Sequence, residues 1–156
     1  MRKAKDESEQ KALDDIREYG VHLIHVHDDS QGPGYIYSIG LFENYAHPEI
    51  IIMGLKLDLS RVLINNMAFD IKEGKTFTAG ESHEGVLDDF LCYFGEVHQK
   101  HFREFVGWAR WFYEGDNFRL MQCVCPTVGG KFPWQRGFPE DARWYSQMLT
   151  DPPKEH

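Results

Sequence analysis

No stretch of this 156-residue chain approaches the roughly 20 consecutive apolar residues that a membrane-crossing helix needs. The basic start Met1-Arg-Lys runs into polar residues rather than an apolar segment, so no secretory leader is expected. Cysteine is scarce as well. Three residues, Cys92, Cys123 and Cys125, make an odd count with no framework spacing, and Cys123-Val-Cys125 is neither a Cys-x-x-Cys redox motif nor a zinc pattern. Buried free thiols in a reducing, cytoplasmic compartment are the expectation, with no metal and no cofactor. Positive charge is also short, with 17 Lys and Arg against 25 Asp and Glu and a formal net charge of −8. That balance argues against a nucleic-acid partner, which is held by clustered cations. A Gly-rich phosphate loop and a Gly-x-Ser-x-Gly nucleophile elbow are both missing, which leaves nucleotide-binding and serine-hydrolase readings without support.

What is present suits one folded domain over residues 1–156. Hydrophobic residues make up 42% of the chain and aromatics 14%, and a chain of this length buries a single real core. Residues 1–5 are expected to be frayed. A helix is predicted from Lys5 to Tyr19, with Leu13, Ile16 and Tyr19 on its apolar side and Gly20 ending it. Strands are expected at Val21–His27, 35–40 and 49–54, the first two separated by the turn-rich run from Asp28 to Gly34. A second helix is capped by Asp58 or Ser60, with Leu59, Val62, Leu63, Met67 and Ile71 as its apolar positions. Lys75–Ala79 and Gly85–Phe94 read as strands, although Asp88 and Asp89 interrupt the second. Helical periodicity returns from His98 to Tyr113, and Phe118–Cys125 alternates as a strand. Residues 129–156 form an extended tail that wraps the domain. The resulting fold class is α+β: a largely antiparallel sheet with about three helices packed on it.

Titratable side chains concentrate in Glu43-Asn-Tyr45-Ala-His47-Pro-Glu49, a polar loop between two hydrophobic strands. His47 beside Glu49 is the better acid–base pair in the chain, since such a histidine titrates near neutrality and can move a proton. The competing expectation is that Glu49 binds loop backbone amides and only shapes the turn. His25 and His27 share one face of a predicted strand, where Asp28 or Asp29 could add an oxygen ligand, but Leu23 shares the face and nothing brings a further ligand. His98 and His101, with Glu96 and Glu104 nearby, are helical neighbours that read as a solvated helix face rather than a metal site. Trp108, Trp111, Phe132, Trp134, Trp144 and Tyr145 form either an exposed aromatic patch or a second packing layer.

Several segments in order resemble a mostly bacterial family catalogued as domain of unknown function 4262. They are Tyr19-Gly20-Val21, Pro33-Gly-Tyr-Ile-Tyr-Ser-Ile-Gly-Leu41, His47-Pro-Glu-Ile-Ile-Ile-Met-Gly-Leu55, Ala109-Arg-Trp-Phe-Tyr113, Phe118-Arg-Leu-Met-Gln122, Pro126 and Gly130-Lys-Phe-Pro-Trp134. The Gly-Leu turn before a Pro-Glu strand is also similar to suppressor-of-fused-like domains, a group in which many bacterial members are immunity proteins. That likeness implies a non-enzymatic protein-binding domain that neutralises a cognate toxin, a basic protein suited to an acidic surface. The expected contact residues are Asp28, Asp29, Glu43, Tyr45, His47 and Glu49, with the two aspartates on an adjacent loop. The alternative is a small-molecule binder or enzyme in which His47 and Glu49 work in a pocket lined by Tyr37 and Gln122 and closed by Phe132 and Trp134.

Overall fold

The computed structural model describes residues 3–153. Residues 1 and 2, part of the expected frayed start, and 154–156 of the tail lie outside the described residues.

Three strands are buried at every position and apolar but for one polar residue each, Ser38, Glu49 and Gln122: β2 (Tyr35–Ile39), β3 (Glu49–Met53) and β6 (Leu120–Val124). Strands without alternation must be covered on both faces, and these sit in the middle of a six-stranded sheet. The sheet runs β1-β2-β3-β6-β5-β4, with β1 at His22–Val26, β4 at Glu81–Leu87 and β5 at Phe90–Glu96. All neighbours are antiparallel except β3 and β6, which run parallel with Ile51 beside Gln122.

Odd and even strand residues point to opposite faces, which gives two apolar layers. On one face Tyr35, Tyr37, Ile39, Ile51 and Leu120 pack against α1 (Glu7–Tyr19), α4 (Phe102–Phe105) and α5 (Gly107–Tyr113). On the other, Ile36, Ile50, Ile52, Met121 and Cys123 meet α3 (Leu57–Lys72). A short helix, α2 (Leu41–Tyr45), links β2 to β3. The α+β class, the single domain and the largely antiparallel sheet expected from the sequence are all present.

Several elements differ from expectation for identifiable reasons. Lys75–Ala79 is not a strand, because its backbone donors are taken by side chains and a helix end. Phe77 N–H donates to His47 Nε2 (3.0 Å), Thr78 N–H to His83 Nε2 (3.0 Å) and Lys75 N–H to the Asp70 carbonyl (2.9 Å). The interrupted strand at 85–94 is a hairpin whose turn is Asp88-Asp89, with Asp89 at φ 66°. The helix expected from His98 to Tyr113 breaks at Val106, where φ −127° and ψ 50° separate α4 from α5. In α3 the buried face is Ser60, Leu63, Ile64, Met67, Ala68 and Ile71. Leu59 and Val62 point outward, as does Tyr19 of α1.

The tail lies across the β5–β6 part of the sheet. Gln122 holds it at two points, accepting from Leu149 N–H and donating to the Gln147 carbonyl, both at 2.7 Å. Leu149 is buried in the α1/α5 core layer. Gly95 on β5 leaves the space that the Thr150 side chain fills, and a Cβ there would overlap it.

Candidate functional site

A carboxylate at the head of an apolar strand must find partners or lose its charge. Glu49 begins β3, exposes none of its surface, and is surrounded by donors. Oε1 accepts from Ser38 Oγ (2.8 Å) and Leu41 N–H (3.2 Å); Oε2 accepts from Gly40 N–H (2.9 Å) and Phe42 N–H (3.2 Å). The Tyr113 hydroxyl, reaching across from α5, donates a short hydrogen bond to Oε2. Three of these donors are the amides of the α2 cap residue Gly40 and of the first two helix residues, so the carboxylate closes that short helix from outside it. Gly40, at φ 113° and packed against Gly20 O, supplies the left-handed bend that turns these amides inward. Burial raises the Glu49 pKa from 4.5 to about 7, against the lowering effect of Tyr113, Ser38 and the backbone amides. Burial and the facing carboxylate push the Tyr113 hydroxyl upward, which keeps it a donor.

His47 is buried too, but in a separate environment. Its Nδ1 lies 2.8 Å from the Pro48 carbonyl and its Nε2 accepts from Phe77 N–H, an arrangement of the neutral ring protonated at Nδ1. Burial lowers its pKa. Its ring packs edge-on to Phe77 in the α3-side core, whereas Glu49 bonds to Tyr113 of α5 on the other side. The two side chains therefore share no hydrogen bond, and each is occupied by its own partners. His47 borders a cleft of about 250 Å³ walled also by Tyr45, Lys75, Thr76, Thr78 and Arg119, the last paired to Glu96 at 2.6 Å.

The residues of the expected binding surface fall at two ends of the sheet. Asp28 and Asp29 are exposed beyond the end of β1, beside Gly34 at the start of β2. Glu43, exposed, and Tyr45, half-buried, follow the far end of β2. Five residues of strand, about 17 Å at 3.3–3.4 Å each, lie between the two groups. The aspartate loop is thus not adjacent to the Glu43 loop. Glu49 and His47 reach a partner only through the loop they hold.

Nor do the alternative pocket residues converge. The Tyr37 hydroxyl accepts from Trp108 N–H (3.1 Å) inside the α5-side core, and Gln122 is engaged with the tail. Phe132 and Trp134 stack on each other, with Trp134 edge-on to Tyr93. His25 and His27 are exposed, and His98 serves as a cap accepting from Lys100 N–H.

Sequence reasoning missed three groupings. Ser38 and Tyr113 are partners of Glu49 from 11 and 64 residues away; the available signal was the acidic residue heading an apolar strand. Cys92 joins Cys123 and Cys125 only through strand pairing. Asp28 shares a cleft of about 390 Å³ with Tyr145, Lys56 and Leu57, where the tail meets the start of α3.

No helix among the described residues is long and apolar enough to cross a membrane. No curated protein and no solved structure matches the chain. The family model of the domain of unknown function DUF4262 matches residues 15–139, a span holding every strand, the Glu49 network and all three cysteines, and the chain belongs to that family.

Proposed function

We propose that this chain is a non-enzymatic protein-binding domain with a basic partner, and in its finest form an immunity protein that neutralises a cognate bacterial toxin. The observation that carries the binding reading is an apolar stripe on the outward side of α3. Opposite its buried stripe, the helix presents a second apolar stripe: Leu59, Val62 and Phe69, 41%, 43% and 62% exposed. These positions, with Asn66 between them, fall three and four residues apart on one side of the helix. At the helix start the cleft shared by Asp28, Lys56 and Tyr145 offers charged side chains of both signs and, with Trp144, exposed aromatic surface. Buried aromatic anchors ringed by charge are what tight interfaces are made of, and a net charge of −8 favours encounter with a basic protein. The occupied states of Glu49 and His47 weigh against an acid–base role for either.

The test is capture of the tagged chain from its native cell, followed by expression of the captured protein alone and together with this chain. A basic partner that kills cells alone and is neutralised in the pair supports the reading. Phe69→Glu, and separately Asp28→Lys, should abolish neutralisation while stability stays within about 0.5 kcal/mol, as for surface substitutions. Neutralisation that survives both variants refutes this face as the binding surface. The small-molecule alternative is favoured by one observation, the polar cleft beside His47 with Lys75 and Arg119. A ligand that raises the melting temperature and loses that effect in Lys75→Ala would support it.

A further inference from the structure

Cys92 lies on β5, Cys123 on β6 and Cys125 just beyond it. The antiparallel register places Tyr93 opposite Val124, which brings Cys92 opposite Cys125 and leaves Cys123 two residues along on the same face. The sulfurs converge: Cys92 Sγ is 3.3 Å from Cys125 Sγ, Cys123 Sγ is 4.0 Å from Cys125 Sγ, and all three lie within 4.8 Å of one another. Thiolates bound to one ion at about 2.3 Å must stand about 3.8 Å apart in a tetrahedron and about 4.0 Å apart in a trigonal plane. Separations of 3.3 and 4.0 Å, with the third no more than 4.8 Å, lie within about 1 Å of both values. Three thiols arranged as a triangle, rather than two in a pair, are the arrangement a single ion needs.

We propose that Cys92, Cys123 and Cys125 form a three-thiolate site for a thiophilic d10 cation, copper(I) or zinc(II). The setting fits this chemistry. Soft thiolates select such ions over hard cations that prefer oxygen. Cys92 and Cys123 are fully buried in the apolar layer under α3, while Cys125 is part-exposed and opens the way in. No histidine or carboxylate joins the three sulfurs among the described residues. Copper(I) is thereby complete with three ligands, whereas zinc(II) takes a water as its fourth. Each ligating thiol releases its proton to solvent as its sulfur binds, so affinity falls as pH falls. The site rests on none of the residues of the proposed binding face.

The test is anaerobic titration of the fully reduced, full-length chain with cobalt(II) as the optical stand-in for zinc(II), with zinc(II), and with copper(I) delivered from a competing chelator. One equivalent per chain, thiolate-to-metal charge-transfer absorption and a rise in melting temperature are expected with at least one ion. The ion that binds distinguishes the trigonal from the tetrahedral form. Cys125→Ser, the substitution at the least buried position, should weaken binding by at least about 100-fold while circular dichroism shows an intact fold. Cys123→Ser provides the second variant should the first misfold. Absence of charge-transfer absorption with every ion, or binding that both variants retain, overturns the proposal. So does mild oxidation that removes two hydrogens from the mass and two free thiols, in a reduced chain that takes up no metal, which would identify a disulfide within the trio instead.

Discussion

Replacing Glu49 by glutamine perturbs a fully buried carboxyl group whose protonation is tied to folding, and its effect should depend on pH in a defined direction. The carboxyl group titrates at 4.5 in the unfolded chain and at about 7 in the fold, because burial outweighs its five donors. Below about pH 4.5 both states carry the proton and ionisation costs nothing. Between about 4.5 and 7 the folded chain binds more protons than the unfolded one, so stability falls as pH rises; above about 7 the loss is complete. At about 1.36 kcal/mol per pH unit the penalty reaches about 3 kcal/mol. Glutamine keeps the shape but has a single accepting oxygen. At acidic pH it leaves about two buried donors facing its amide, a loss of about 2–6 kcal/mol at about 1–3 each. It also removes the ionisation penalty, so wild type should exceed Glu49→Gln by about 3 kcal/mol more at pH 4.5 than at pH 8. Urea unfolding followed by tryptophan fluorescence, with unchanged m-values, measures this difference directly. A gap that stays constant across the range would show that the Glu49 pKa is not raised, and would refute the account of the network.

His47 should act with the opposite sign. Burial lowers its folded pKa below 6.5, so wild-type stability falls as pH drops through and below 6.5, and His47→Gln should flatten that acid limb in melting curves. An equally steep limb in the variant would place the titration elsewhere. Gly95→Ala drives a Cβ into Thr150 and should cost about 1–3 kcal/mol and make the tail sensitive to limited proteolysis. Adding Thr150→Gly should restore protease resistance; if it does not, the glycine is required for a reason other than tail packing.

Much of the architecture was legible from local pattern. The mostly apolar segments of β2, β3 and β6 mark strands covered on both faces, and the alternation along Phe118–Cys125 correctly assigns Leu120 to one layer and Cys123 to the other. Gly20 ends α1 in the left-handed region as expected, whereas the helix starts at Glu7 rather than Lys5 because Asp6 caps it, accepting from Glu9 N–H. What local pattern misassigned were segments whose conformation is set by distant partners. Lys75–Ala79 is irregular because His47 and His83 take its amides, and α3 carries apolar residues on two faces, only one of which the sheet can bury. Two candidate residues, Asp28 and Glu43, seemed neighbours because both sit in loops, yet a full strand separates them.

The sequence by itself determined the α+β class, the places of β1, β2, β3 and β6 along the chain, the membership of the family and the attention drawn to His47 and Glu49. Each depends on residue type and short-range periodicity, which act within a few positions of the chain. Only the tertiary structure decided that Glu49 is closed off by Ser38 and Tyr113, that His47 faces away from it, and that three cysteines meet at one point. Those outcomes depend on strand order and register. A one-residue slip between β5 and β6 would send the cysteines to opposite faces of the sheet, and pairing of that kind is settled by long-range packing rather than by neighbours in sequence.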